Sequence, residues 1–249
     1  MLFSIFQSGM SIKEMVLTVS MLLLVLGYSF SIHEFMHGYS AHLLGDDTAK
    51  LMGRLTMNPA KHIEPLGAMM FLFVGFGWAK PIPVNYSKLN RLESKDAMVR
   101  IVSVAGVTAN FFSAWVAYGL FTLLNVIVDR LSLTSSSALF AYALAVQFLF
   151  MFFHFNLMLM AFNLLPFPPL DGYHILETFI PTKLRARFHQ YERFFVMGLF
   201  GLIIAGLIFN FSPLYWLVTA VQTPFRYIIQ YPLDLLSPTN EVFFDYLMG

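Results

Sequence analysis

Long apolar stretches recur along the chain and predict helices that cross a membrane. The first covers about residues 15–44, and the others cover about residues 97–128, 137–165 and 194–221. Each is long enough to span a bilayer as one straight or tilted helix. The pattern therefore predicts an all-α polytopic membrane protein, built as a bundle of at least four transmembrane helices.

The last of these stretches contains a helix-breaking sequence at residues 210–213 (NFSP). Proline removes a backbone donor and bends or ends a helix. A break at this point would divide the stretch and add a fifth, short segment.

A shorter apolar stretch, residues 66–79, lies between the first and second spans and is too short for a straightforward crossing. Two prolines follow at positions 81 and 83, and each pushes the residue before it toward extended backbone. We therefore predict a short re-entrant or extended segment over about residues 66–86. Its extended part is either an edge that pairs with a substrate strand or a plain interfacial loop anchored by Trp78.

The composition agrees with a membrane protein and excludes several functions. Hydrophobic residues make up 58% of the chain and charged residues only 12%, against about 25% charged residues in soluble domains. The net charge of +1 and the absence of a basic patch give no support for a nucleic-acid partner. With no cysteine in the chain, a zinc site would have to use His, Asp or Glu.

Lysine and arginine are distributed unevenly between the predicted loops. Most lie between spans one and two or between spans three and four, whereas only Lys13, Arg130 and Arg226 fall on the other side. Positively charged loops are retained in the cytoplasm. We therefore expect both long loops in the cytoplasm and both termini outside.

The sequence His33-Glu34-Phe35-Met36-His37 lies inside the first apolar stretch. Residues four apart share a helix face, so His33 and His37 can bind one zinc ion while Glu34 stands beside a metal-bound water. Ionisable side chains at membrane depth are costly and mark function. A proton or metal relay through these three residues, as in a transporter, is the competing interpretation.

A catalytic zinc site usually has three protein ligands, so one more must come from elsewhere. Glu64 and Asp171 are the candidates. Glu64 lies in a loop outside any clear helix. Asp171 follows a proline cluster that ends the third span and can return the carboxylate to the depth of the histidines. An aspartate in an ordinary turn before Gly172 is the alternative reading.

Four segments of the chain together resemble the site-2 protease family of intramembrane zinc metalloproteases, in its small prokaryotic form without PDZ or CBS domains. They are residues 33–67 (HEFMHGYSAHLLGDDTAKLMGRLTMNPAKHIEPLG), 77–85 (GWAKPIPVN), 105–111 (AGVTANF) and 162–172 (FNLLPFPPLDG), in the family's order. One departure occurs after Gly106, where Val107 replaces the family's usual proline.

The resemblance implies an enzyme of regulated intramembrane proteolysis, which hydrolyses a peptide bond within or near a transmembrane segment of a substrate protein. It implies one Zn²⁺ per chain, held by His33, His37 and Asp171, with Glu34 as general acid/base. Asn163 and Asn110 match family asparagines and are the expected substrate-binding or oxyanion-stabilising residues.

We interpret residues 1–249 as a single integral protease domain of the cell membrane, with its active site toward the cytoplasm. The loop after span one leaves no room for a PDZ-type domain. The expected partners are the lipid bilayer and the transmembrane segment of a substrate protein. A catalytically inactive scaffold that binds membrane helices is a further alternative, against which the intact ligand set argues.

Overall fold

The computed structural model of the chain describes residues 11–74, 77–131, 134–209 and 213–237. This part of the chain contains eight α-helices and no β-strand. The helices are α1 (Ile12–Leu43), α2 (Thr48–Leu51), α3 (Pro65–Val74), α4 (Lys95–Leu131), α5 (Ser136–Asn163), α6 (Asp171–Glu177), α7 (Thr182–Phe209) and α8 (Pro213–Asp234). The prediction of an all-α fold is confirmed for the described residues.

Three of the helices, α1, α4 and α5, are long and apolar enough to cross a membrane. They contain 32, 37 and 28 residues, and a crossing needs about 20. The chain is therefore an integral, multi-pass membrane protein, as its apolar stretches predict.

The predicted fourth stretch, residues 194–221, is divided between two helices. α7 ends at Phe209 and α8 begins at Pro213, while residues 210–212 lie outside the described part of the chain. Pro213 is the first residue of α8, where a missing N–H costs nothing because the first turn has no intrahelical acceptor for it. The predicted break at residues 210–213 therefore falls mostly outside the described residues and stays a prediction, with which the bounds of α7 and α8 are compatible.

α1 begins at a capping box and lies against α4 and α5. The Ser11 hydroxyl accepts a hydrogen bond from Glu14 N, and Ser11 N donates to Glu14 Oε2 over 2.7 Å. A large apolar core joins α4, α5 and α8, and its buried members include Tyr118, Phe121, Phe153, Met160 and Ile229. A smaller cluster joins α1, α3 and α5. The first core thus packs α5 against α4 and α8, and the second packs α1 against α5.

The loop between α1 and α4 folds back along α1. After α3, residues 77–85 run back along α1 without helix and are called the extended return. Ala79 in this segment forms an isolated antiparallel bridge with Ile63. Lys80 N donates a hydrogen bond of 2.7 Å to His62 O beside this bridge. The short helix and the extended return lie in the residues for which a re-entrant or extended segment is predicted.

Asp46 fastens the extended return to the end of α1. It is buried and accepts hydrogen bonds from Asn85 N at 2.6 Å, Thr48 N at 3.0 Å and Thr48 Oγ1 at 2.5 Å. Burial by itself raises the pKa of Asp46, but these hydrogen bonds and the charge of Lys88 outweigh it and hold the pKa below its ordinary value. The carboxylate therefore stays charged and keeps its backbone donors at neutral pH.

Candidate metal centre

His33 and His37 lie one turn apart on α1 and direct their rings to the same point. The ring centroids are 4.5 Å apart with nearly perpendicular planes, and the two Nε2 atoms are 3.1 Å apart. Both side chains are buried. The four-residue spacing on one helix face thus brings two imidazole nitrogens together.

Asp171 joins the two histidines from a distant part of the sequence. Its Oδ2 atom lies 3.3 Å from His33 Nε2 and 3.2 Å from His37 Nε2. Asp171 is the first residue of α6, and the proline-rich turn after α5 brings it back to α1. Gly172 permits the tight turn, because a Cβ atom there would lie 2.3 Å from Leu164 O.

Helix α4 closes the centre at Gly106. A Cβ atom at this position would lie 2.3 Å from His37 Nε2 and 2.8 Å from His33 Cε1. Only glycine therefore lets α4 pass this close to both rings. Val107, which stands where the resembling family has proline, is buried in the apolar core, and α4 continues unbroken through it.

The hydrogen bond on the far side of each ring fixes its tautomer. His37 Nδ1 lies 2.7 Å from Val102 O, and a carbonyl can only accept, so Nδ1 carries the hydrogen. In the neutral ring Nε2 is then unprotonated and presents its lone pair to the centre.

The tautomer of His33 follows from a chain of three buried side chains. Asn156 Nδ2 donates to Phe152 O at 2.8 Å, so its Oδ1 is the acceptor for Asn110 Nδ2 at 2.8 Å. Asn110 must then turn its own Oδ1 to His33 Nδ1, at 2.7 Å. His33 Nδ1 therefore donates, and its Nε2 lone pair also faces the centre. Ser29 completes the network by accepting from Asn110 Nδ2 at 3.2 Å through its backbone carbonyl.

The three converging atoms fit a zinc ion. Tetrahedral zinc with bonds of about 2.0–2.1 Å holds its ligand atoms about 3.3–3.4 Å apart, and the three separations here are 3.1, 3.2 and 3.3 Å. Asp171 Oδ2 is buried and has no hydrogen-bond partner among the described residues. The lone pairs of the two histidine Nε2 atoms face the carboxylate oxygen of Asp171 with no hydrogen between them. These three atoms repel one another unless a cation lies among them. His33, His37 and Asp171 are the one such group of potential ligands in the described part of the chain.

The remaining predicted site residues lie around this centre in different ways. Glu34 is half-buried and its Oε2 accepts a hydrogen bond of 2.7 Å from Ile82 N. Asn163 is the last residue of α5, and its Nδ2 donates to Leu159 O at 2.9 Å. Asn110 is fully buried behind His33. Asn110 thus contacts a histidine in this structure, not the open side of the centre.

The alternative third ligand and the other histidines have separate partners. Glu64 Oε2 accepts from Gly67 N at 2.6 Å, in the first turn of α3. His62 Nε2 contacts Thr56 O at 2.7 Å, and His42 Nδ1 pairs with Asp47. None of these side chains belongs to the ligand group at the centre.

Sequence reasoning missed Asn156 and Ile82. Asn156 is a buried amide within the third apolar stretch, and a polar residue at membrane depth is the signal that could have identified it. Ile82 contributes a backbone N–H, which no side-chain motif reveals. Val102 likewise contributes only a carbonyl.

Comparison with known proteins agrees with this geometry. The family model described as "Peptidase family M50" matches residues 21–206. The Bacillus subtilis (strain 168) protein named "Putative zinc metalloprotease YwhC" is 41% identical over 174 residues, which cover 70% of this chain and 75% of that protein. "Putative zinc metalloprotease Rip2" of Mycolicibacterium smegmatis is 30% identical over 162 residues, 64% of this chain and 57% of that protein.

The Rip2 protein of Mycobacterium tuberculosis (strain H37Rv) is 26% identical over 197 residues, 76% of this chain and 69% of that protein. No solved structure matches the chain significantly.

Proposed function

This chain belongs to peptidase family M50 and is a zinc metalloprotease by that membership, and from this premise we propose that it is an intramembrane endopeptidase. Its substrate would be a membrane protein, cut within or near a transmembrane segment. The observation that carries the proposal is the convergence of His33, His37 and Asp171 beside Glu34. Both histidines and Glu34 lie on α1, which is long and apolar enough to cross a bilayer. We further propose one Zn²⁺ per chain.

The roles of the chain's own residues follow from this arrangement. When bound, zinc would supply a Lewis acid that polarises a peptide carbonyl and makes water acidic enough to lose a proton near neutral pH. Glu34 accepts that proton through its carboxylate and passes it to the leaving amine. The 2.7 Å contact with Ile82 N occupies Oε2, and Oε1 has no hydrogen bond with a described residue. Oε1 is therefore the oxygen available for proton transfer.

Asn163 is proposed to contact the substrate carbonyl or its oxyanion. One N–H of its amide is used on Leu159 O, which leaves the second N–H as a donor. Asn163 closes α5 just before the turn that carries Asp171. A donor aimed at developing negative charge contributes about 3–4 kcal/mol in other hydrolases.

We propose residues 1–249 as one integral protease domain with at least four spans, in which part of α7 and α8 supplies the remaining crossings. α3 and the extended return would form a re-entrant segment beside α1. The distribution of lysine and arginine supports cytoplasmic loops after α1 and α5. The centre would then open toward the cytoplasm.

The substrate must present an extended backbone to the centre. Carbonyls of a transmembrane helix are engaged in its own hydrogen bonds, so a helix would have to unwind locally before hydrolysis. Substrates with helix-weakening residues near the cut are therefore expected.

The test is a cleavage assay in membranes with a reporter that carries a transmembrane segment, read by mass spectrometry to locate the cut. Glu34→Gln should lower the rate at least about 100-fold while zinc content stays at one per chain. A zinc chelator should abolish cleavage by the wild type. Glu93→Gln changes an exposed carboxylate in the loop before α4 and serves as the matched control with unchanged activity.

Full cleavage by Glu34→Gln would eliminate this mechanism. Ion flux in liposomes without peptide hydrolysis would instead identify a transporter that uses the same residues. Helix binding without cleavage, unaffected by Asp171→Asn, would identify an inactive scaffold.

A further inference from the structure

An extended strap, residues 80–85 (KPIPVN), crosses the C-terminal half of α1 and contacts Glu34 directly. Ile82 N donates a hydrogen bond of 2.7 Å to Glu34 Oε2. A hydrogen bond from an N–H to a carboxylate is charge-assisted and stronger than one between neutral groups. The strap thus holds one oxygen of the expected general base.

The sequence of the strap leaves Ile82 as the only donor at this place. Pro81 and Pro83 have no backbone N–H, so among these three residues only Ile82 can donate. Pro83 also restricts Ile82 to extended backbone. A shift of the strap by one residue in either direction would present a proline to Glu34 and lose the contact.

Contacts at both ends fix the register of the strap. Arg54 Nη2 donates to Lys80 O at 3.0 Å and to Pro81 O at 3.1 Å. At the other end Asn85 N donates to Asp46 Oδ2 at 2.6 Å. Because both ends are fastened, Ile82 N stays opposite Glu34.

The Ile82 side chain adds a packing contact that locates the strap along α1. It is 7% exposed and lies against Gly38, one turn beyond Glu34 on the same face. A Cβ atom at Gly38 would lie 2.4 Å from Ile82 Cδ1. Gly38 therefore forms the slot in which Ile82 sits.

We propose that the backbone N–H of Ile82 is the positioning group for Glu34, and that the role of the strap is to hold this N–H opposite Glu34. The inference rests on the proposed function, in which Glu34 is the general acid/base. With Oε2 held, the carboxylate keeps one orientation and directs Oε1 to the open side of the centre. A strap that lost this contact would leave zinc bound and Glu34 misdirected.

Hydrogen exchange of the full chain in nanodiscs tests the contact without reference to catalysis. A fragment covering Pro81, Ile82 and Pro83 carries a single backbone amide hydrogen, so its exchange reports Ile82 alone. We expect slow exchange in the wild type and in Glu34→Gln, whose side-chain carbonyl still accepts. Glu34→Ala should exchange at least about tenfold faster, which corresponds to a loss of about 1.4 kcal/mol of protection. Equal protection in Glu34→Ala and wild type would overturn the proposal.

Kinetics then separate positioning from substrate binding. Ile82→Pro removes the donor, and we expect kcat to fall about 10- to 100-fold with KM within about twofold and zinc content unchanged. Ile82→Leu is the control variant: it keeps the N–H and should retain most of the wild-type kcat. A rise in KM with unchanged kcat would mean that the strap pairs with substrate, and would overturn the proposal.

The two experiments keep the outcomes distinguishable. If Ile82→Pro fails to fold, the exchange comparison of the Glu34 variants still decides. If the exchange result holds but the wild type cleaves nothing, the contact stands and the proposed function fails. If the wild type cleaves its substrate but the exchange of the Ile82 amide is the same in Glu34→Ala and the wild type, only the positioning role fails.

Discussion

The two histidines of the candidate metal centre are oriented by partners of different kinds. Val102 holds His37 with a backbone carbonyl, which substitution cannot remove, whereas Asn110 holds His33 with a side chain. Asn110 is itself oriented by Asn156. The proton position on His33 therefore depends on side chains from two other membrane helices, and mutation can test that dependence.

Asn110→Ala should weaken zinc binding about 10- to 100-fold, because partners that orient metal ligands contribute on that scale. The substitution leaves His33 Nδ1–H without its acceptor and frees the ring to rotate. Competition with a chelator measures the affinity. The matched control is Asn125→Ala, which removes a buried amide on the same helix that accepts from Tyr142. Equal zinc affinity in Asn110→Ala and the wild type would contradict the assigned role.

The centre was predictable from sequence only where ligand spacing or helix breaking leaves a signal. The four-residue spacing of His33 and His37 predicts their shared face, and the prolines before Asp171 predict its return. Asn110 was expected to contact substrate, because a family motif names a residue without saying which way its amide points. That direction depends on Asn156, whose position opposite Asn110 results from helix packing.

At the scale of elements, the close approach of α4 to α1 requires glycine at one position of α4 and tolerates a side chain at another. Gly106 faces both ligand rings, whereas a Cβ atom at Gly119 would meet no atom within 4 Å. Gly106 and Gly119, on the same helix, thus serve as the test and the control position for a substitution by alanine.

Gly106→Ala should displace the histidine rings or push α4 away, and the chain should lose bound zinc and thermal stability. Gly119→Ala should keep zinc and gain up to about 1 kcal/mol, since alanine favours a helix interior over glycine. Metal analysis together with thermal unfolding in detergent checks both. Normal zinc content in Gly106→Ala would show that the helices do not approach as closely as the structure has them.

Apolar length predicted the spanning helices well and the helix ends poorly. The stretches at about 15–44, 97–128 and 137–165 correspond to α1, α4 and α5, with ends that differ by a few residues. α8 instead runs on to Asp234, because helix packing can carry a helix past the point where apolar residues cease to dominate. α3 is helical within the segment predicted as re-entrant or extended, since a helix satisfies its own backbone groups in an apolar environment.

At the scale of the whole molecule, the proposed orientation can be tested cleanly because the chain has no cysteine. Glu93 precedes α4 and Ser136 begins α5, and both are exposed. These two positions lie at opposite ends of one spanning helix. A thiol introduced at either position is therefore the only one in the protein.

In intact cells a membrane-impermeant maleimide should label Ser136→Cys and spare Glu93→Cys, and both should react after permeabilisation. The basic residues beside Glu93 are the physical reason, because they resist transfer across the membrane. Labelling of Glu93→Cys alone in intact cells would reverse the orientation and place the centre toward the outside.

The late position of Asp171 in the sequence has a consequence during biosynthesis. A ribosome delivers His33, Glu34 and His37 to the membrane with the first helix, yet the third donor emerges only after α4 and α5 have been made. A half-finished polypeptide would therefore carry the proposed acid/base without the full set of proposed metal ligands. Under the proposed function, the nascent chain would be latent, and proteolytic competence would arrive together with correct assembly.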